Sequence, residues 1–194
     1  MKHIFLSVAF LFSMNAFSSQ VQTVPFVNLN LYLGSWHEIA SIPQFFQRNC
    51  VKNTVATYSL DSQGGIDVLN TCLNQQGSTI SAQGKAKVHN EKTNAELSVT
   101  FLNLGTWIYF IPGNYWIIDI ASDYRYAVVG DANARYGWIL SRTPRMSESD
   151  LVSAMNALRR NGYDLCQFNL SPQDGGTSVK MNLCDIAPSL GFKL

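Results

Sequence analysis

Tyr115-Trp116-Ile117-Ile118-Asp119-Ile120-Ala121-Ser122-Asp123-Tyr124-Arg125-Tyr126-Ala127-Val128-Val129-Gly130 decides the fold. Two runs rich in β-branched and aromatic residues flank Ser122-Asp123, side chains that turn a backbone by bonding to it. Parallel neighbours need a crossover of a dozen or more residues, so runs this close together must be antiparallel. The stretch predicts two strands, at 115–121 and 124–130, around an acidic turn. Burying Asp119 without a partner would be costly, so its face reads as outward. Strand alternation then points Trp116, Ile118 and Ile120 inward.

The same pattern extends both ways. Strands are predicted at 51–60, 66–72, 79–88, 95–102 and 136–141, and a first strand opens at Trp36. Asp61-Ser62-Gln63-Gly64-Gly65, the segments 90–94 and 131–133, and Gly113-Asn114 punctuate them. No long crossover intervenes, so the sheet is antiparallel, as a sandwich or a barrel. One helix follows, at about 147–161. Ser147 and Asp150 form a near capping box, Leu151, Ala154, Met155 and Leu158 make a one-sided stripe, and Gly162 stops it. Such a helix packs on the outside of something. A last strand is predicted at 164–170, and 174–194 reads as an irregular tail.

The chain starts Met1-Lys2-His3 and then runs apolar through Phe12 to small residues at Ala16 and Ser18. This is the pattern of a secretory signal cut after Ser18, leaving one domain over 19–173 and the tail. No cysteine precedes Cys50, so the expected product carries no lipid anchor and lies free in the periplasm or the medium. With Lys2 removed from 14 basic residues, 13 face 13 acidic ones. A neutral surface argues against nucleic acid and against electrostatic docking on anionic membranes.

Cys50, Cys72, Cys166 and Cys184 are an even set in an exported chain, which reads as two disulfides. Three pairings are open. In the hairpin register Cys50 and Cys72 fall nearly opposite each other, and elimination then joins Cys166 to Cys184. No CxxC, HExxH, GxSxG, GxGxxG or P-loop occurs, so neither metal, cofactor nor catalytic residue is expected. His37 reads as a solvent-facing strand residue. Asp119 and Asp123 are weak candidates for an acid/base pair, since Asp is common at strand ends and turns.

Three motifs in order resemble those of the lipocalin family: Gly34-Ser35-Trp36, the hairpin quoted above with Asp123 and Tyr124 at its turn, and Trp138-Ile139-Leu140-Ser141-Arg142-Thr143-Pro144. The helix directly after the third strengthens the match, which spans about 27–173. The wording is nearest to the bacterial outer-membrane lipocalins and apolipoprotein D. The resemblance implies an all-β fold, an eight-stranded antiparallel up-and-down barrel with one helix packed outside, holding a small lipophilic ligand. It implies that Trp36 plugs the closed end with Arg142 across its indole, near Gly34. It places Phe45 and Phe46 in a loop over the barrel mouth, and Tyr58 and Trp138 facing the cavity. Alternation adds Val68, Phe101 and Trp116 to the ligand-binding set.

The ligands implied are fatty acids or lysophospholipids, carried by a monomer or homodimer, with outer-membrane association as in those relatives. Two other readings remain open: a lipocalin-fold enzyme isomerising a lipophilic substrate through a free cysteine, and an interaction module whose barrel is filled by its own side chains.

Overall fold

The structure is a computed structural model that describes residues 20–193; the expected signal at 1–18 lies outside them. Eight antiparallel strands close into a barrel: β1 (Gly34–Ser41), β2 (Lys52–Leu60), β3 (Ile66–Leu73), β4 (Thr79–Val88), β5 (Glu96–Thr100), β6 (Tyr115–Ile120), β7 (Tyr126–Gly130) and β8 (Gly137–Ser141). Each pairs with the next in sequence, and β1 pairs with both β8 and β2, so no strand of the eight has a free edge. This is the expected architecture. A two-residue strand, β9 (Asn169–Leu170), extends β1 at one end.

Local chemistry explains the closures. At the β2–β3 turn Asp61 Oδ1 accepts from the backbone N–H of Gln63 and Gly65 at 2.8 and 2.7 Å. Gly64 there takes a φ of +79°, which glycine adopts without strain. Between β6 and β7, Tyr124 turns the chain with a φ of +60°, and Asp123 Oδ1 accepts from the Arg125 backbone at 3.2 Å.

Two short helices precede and follow the main one. α1 (Leu29–Tyr32) leads into β1, α2 (Glu148–Arg160) lies on the barrel wall, and α3 (Leu183–Ile186) sits near the C-terminus. Ser147 caps α2 by accepting from Asp150 N at 3.2 Å. Ala154, Met155, Ala157 and Leu158 on its inner face are fully buried. They pack with Ile118, Val128 and Ile139 from the outer wall of the barrel. A second core fills the lower barrel with Trp36, Ile66, Leu97, Ile117, Ala127, Val129 and Leu140.

Three expectations change. The strand predicted at 164–170 is mostly a 3-10 turn, Leu165–Gln167, because Asp164 Oδ1 accepts from Cys166 N at 2.9 Å and starts a turn instead. The tail is irregular as expected over 174–181 but helical from Leu183 to Leu190; Leu183 and Ala187 are fully buried, and with Phe192 they join the core under α2. Its helical pieces are about one turn long, too short to show a period in sequence.

The third change is the face of β6. Ile118 packs in the outer core, with Trp116 against it, while Ile117, Tyr115 and Ile120 belong to the inner one. The pairing with β7 shifts between Ile117 and Asp119, so two residues of β6 oppose Val128 alone. This bulge puts Ile118 and Asp119 on the same side. Counting by twos from Asp119 therefore fails on its N-terminal side.

The disulfides join Cys50 to Cys72 and Cys166 to Cys184, with Cα–Cα separations of 5.5 and 4.9 Å. The first pairing agrees with the register reading and the second with its elimination.

Candidate functional site

The closed end is built around Trp36, which has no exposed surface. Its Nε1 donates to the Tyr32 carbonyl at 2.8 Å. The Arg142 guanidinium lies 3.6 Å over its indole. Arg142 donates to the carbonyls of Leu31, Ser35 and Tyr124 at 2.6, 3.0 and 3.3 Å, so the cation locks α1, β1 and the β6–β7 turn together. Gly34 has a φ of +93°, and a Cβ there would stand 3.4 Å from Arg142 Nη1. Tyr124 Oη accepts from Asn28 N at 2.8 Å. Asp123 faces solvent and binds Arg125, which also pairs with Asp150 of α2; the guanidinium holds both carboxyls below their ordinary range. These residues are scaffold.

Above this plug the barrel holds a cavity of about 310 Å³. Its walls include Tyr58, Val68, Val99, Tyr115, Trp138 and Leu140, with Phe46, Phe101 and Ile111 towards the opening. Of the side chains expected at the ligand, Tyr58, Val68, Trp138, Phe46 and Phe101 meet around this one space. Two do not. Trp116 points outward through the bulge and donates its Nε1 to the Gly113 carbonyl at 2.8 Å. Phe45 is 81% exposed and stands edge-on to Phe46, 5.4 Å between ring centres, outside the lining.

Sequence reading missed Tyr115, the neighbour of Trp116 on the opposite face, whose signal is hidden by the bulge. Tyr115 Oη lies 2.7 Å from Tyr32 Oη and 3.0 Å from Tyr58 Oη. Burial pushes all three phenols up, Tyr58 to about 12. They are neutral at any physiological pH and act as hydrogen-bonding groups.

It also missed Glu38, a buried carboxyl on β1 that borders the cavity. Glu38 accepts from Ser41 Oγ and Gln47 Nε2, each at 2.8 Å, and from Ser171 Oγ. It thereby ties the loop of Phe45 and Phe46 to the barrel and to the chain after β9. With its amide nitrogen committed there, Gln47 Oε1 is left buried without a donor, as is Asn70 Oδ1; both residues line the cavity. Polar atoms in a mostly apolar wall fix how a ligand lies.

The catalytic candidates of the sequence do not come together at the cavity. Asp119 bonds to Tyr126 Oη at 3.3 Å on the outer wall, away from Asp123, and burial raises its pKa. His37 Nδ1 lies 3.4 Å from Gln173 Oε1, so the expected solvent-facing side chain is partly covered. All four cysteines are in disulfides, so the chain has no free thiol. Among the described residues no cluster of potential metal ligands occurs, and no helix is long and apolar enough to cross a membrane.

The family model for a lipocalin-like domain matches residues 27–173. Outer membrane lipoprotein Blc of Escherichia coli K12 is 37% identical over 147 residues, covering 74% of this chain and 78% of Blc. Apolipoprotein D of Mus musculus is 34% identical over 151 residues, covering 73% and 75%. Among solved structures, insecticyanin of Manduca sexta superposes with a TM-score of 0.63 at 19% identity, over 81% of this chain and 89% of insecticyanin. Barrel, plug, outer helix, domain match and relatives agree: the chain belongs to the lipocalin family, whose members generally bind small hydrophobic ligands.

Proposed function

We propose that this protein is a non-enzymatic carrier that holds a fatty acid or lysophospholipid in the barrel while it crosses an aqueous compartment. The observation that carries this reading is the hollow upper barrel, about 310 Å³ walled by Tyr58, Val68, Val99, Trp138 and Leu140 under an apolar rim. Binding there is driven by removing apolar ligand surface from water, about 25 cal/mol per Å² before ordering costs. Two disulfides, a signal-like start and relatives that include an outer membrane lipoprotein support a periplasmic or extracellular site of action. Absence of a free thiol weighs against isomerisation through cysteine, and the cavity weighs against a self-filled barrel.

The test is titration of the delipidated protein with a fluorescent fatty acid, read by quenching of tryptophan emission, since Trp138 lines the cavity. Saturable binding is expected, and Ala56→Trp, which fills the same space, should abolish it. Absence of saturable binding, together with no lipid in native mass spectra of freshly purified protein, would overturn the carrier reading.

A further inference from the structure

The cavity floor is a row of three phenols, and its protons do not balance. Tyr32, Tyr115 and Tyr58 bring three O–H groups to two contacts, at 2.7 and 3.0 Å. Each contact consumes one proton. Among the described residues the three hydroxyls have no other hydrogen-bond partner, so one O–H is always left over.

Its place can be reasoned out. Tyr32 does not line the main cavity; it borders a small apolar void of about 10 Å³ below it, which Tyr58 and Tyr115 also wall, together with Leu29, Leu33, Ile66 and Leu97. That is at the lower limit for one water and offers no further polar atom to hold it. A proton turned into that void would lie unpaired among hydrocarbon, which is costly. Tyr32 therefore donates to Tyr115, and the surplus proton belongs to Tyr115 or Tyr58. Both line the cavity. The floor is thus a hydrogen-bond donor that faces the ligand.

No cation points at this floor: Arg135 lines the cavity from the exposed β7–β8 loop, at the open side. Arg142 lies over Trp36 with its donors on three backbone carbonyls, so a carboxylate sunk to the floor would be buried without a counter-charge. We infer that the preferred ligand is an apolar molecule bearing an uncharged oxygen acceptor (a ketone, ester or alcohol oxygen) at the end that enters first, bonded to Tyr58 or Tyr115. This rests on the reading of the cavity as a ligand site and names the ligand's inner end. A fatty acid or lysophospholipid that enters methyl-first, its charged head at the opening where Arg135 lines the cavity, still binds but leaves the phenol proton unanswered.

The experiment compares methyl decyl ketone with dodecane as displacers of a fluorescent fatty acid from the delipidated protein. In Tyr58→Phe/Tyr115→Phe the ketone should bind about tenfold more weakly, one net hydrogen bond, with dodecane unchanged. Either single substitution leaves one cavity-facing phenol proton and should cost far less than the pair. Unchanged ketone affinity in the double variant would overturn the inference while leaving the carrier reading intact. Failure of both ligands to displace a bound probe from the wild type would overturn the inference alone, whereas a probe that never binds would overturn the carrier reading. Infrared spectra give an answer without any variant. An isotope-labelled ketone carbonyl absorbing as it does in alcohol supports the bond, and one absorbing as in alkane overturns it.

Discussion

The two ends of this barrel use the same strands for opposite purposes. At the closed end Trp36 is wholly buried, Arg142 has its donors on backbone carbonyls, and the remaining void is about 10 Å³. At the open end a space of about 310 Å³ remains, two buried side-chain oxygens go without donors, and Phe45, Leu104 and Phe110 are 81, 71 and 75% exposed. Native interiors are close-packed and pair nearly all their buried polar atoms. Departures from that rule gathered in one half of a barrel mark where a guest completes the packing. On the proposed function, stability belongs to the lower half and recognition to the upper.

That division can be broken. Trp36→Ala should cost about 4 kcal/mol in denaturant unfolding, because it removes the largest buried ring and the surface on which Arg142 rests. Affinity for a fluorescent fatty acid, measured under conditions where the variant is folded, should stay near wild type. A parallel loss of affinity would show that the plug shapes the cavity and that the halves are not separable.

Glu38→Ala comes next, at about 3 kcal/mol, since it orphans the donors of Ser41, Gln47 and Ser171 at once. Here stability and ligand affinity should fall together, because Glu38 both anchors a buried network and holds the loop of Phe46 over the opening. Hydrogen exchange confined to residues 43–50 would confirm the anchoring role. Unchanged exchange there would assign Glu38 to the scaffold alone.

The smallest effects sharpen the boundary at the rim. Phe46→Ala should weaken the fatty acid probe a few-fold with under about 0.5 kcal/mol of stability lost, since Phe46 borders the cavity from an exposed loop. Phe45→Ala, outside the lining, should change neither. Equal losses from the two would mean that the rings act as one lid.

Much of this was legible in residue order. The β-branched runs and their turn residues predicted the strands, and the Ser147 cap with the Leu151–Leu158 stripe predicted α2 to within a residue at each end. The cysteine register anticipated both disulfides. Such features are local, or depend on pairing between neighbours in sequence, and so leave a pattern.

Only packing decided the rest. One extra residue at Ile118 reversed the inward face of the first half of β6, replacing Trp116 by Tyr115 at the cavity. A bulge carries no signature in a run of isoleucines, because strand periodicity reports spacing and not register. Glu38 and the three phenols come from three separate strands and a turn of helix. Their meaning lies in which hydrogen bonds remain unfilled once the barrel closes, a property of distances between segments that no order of residues displays.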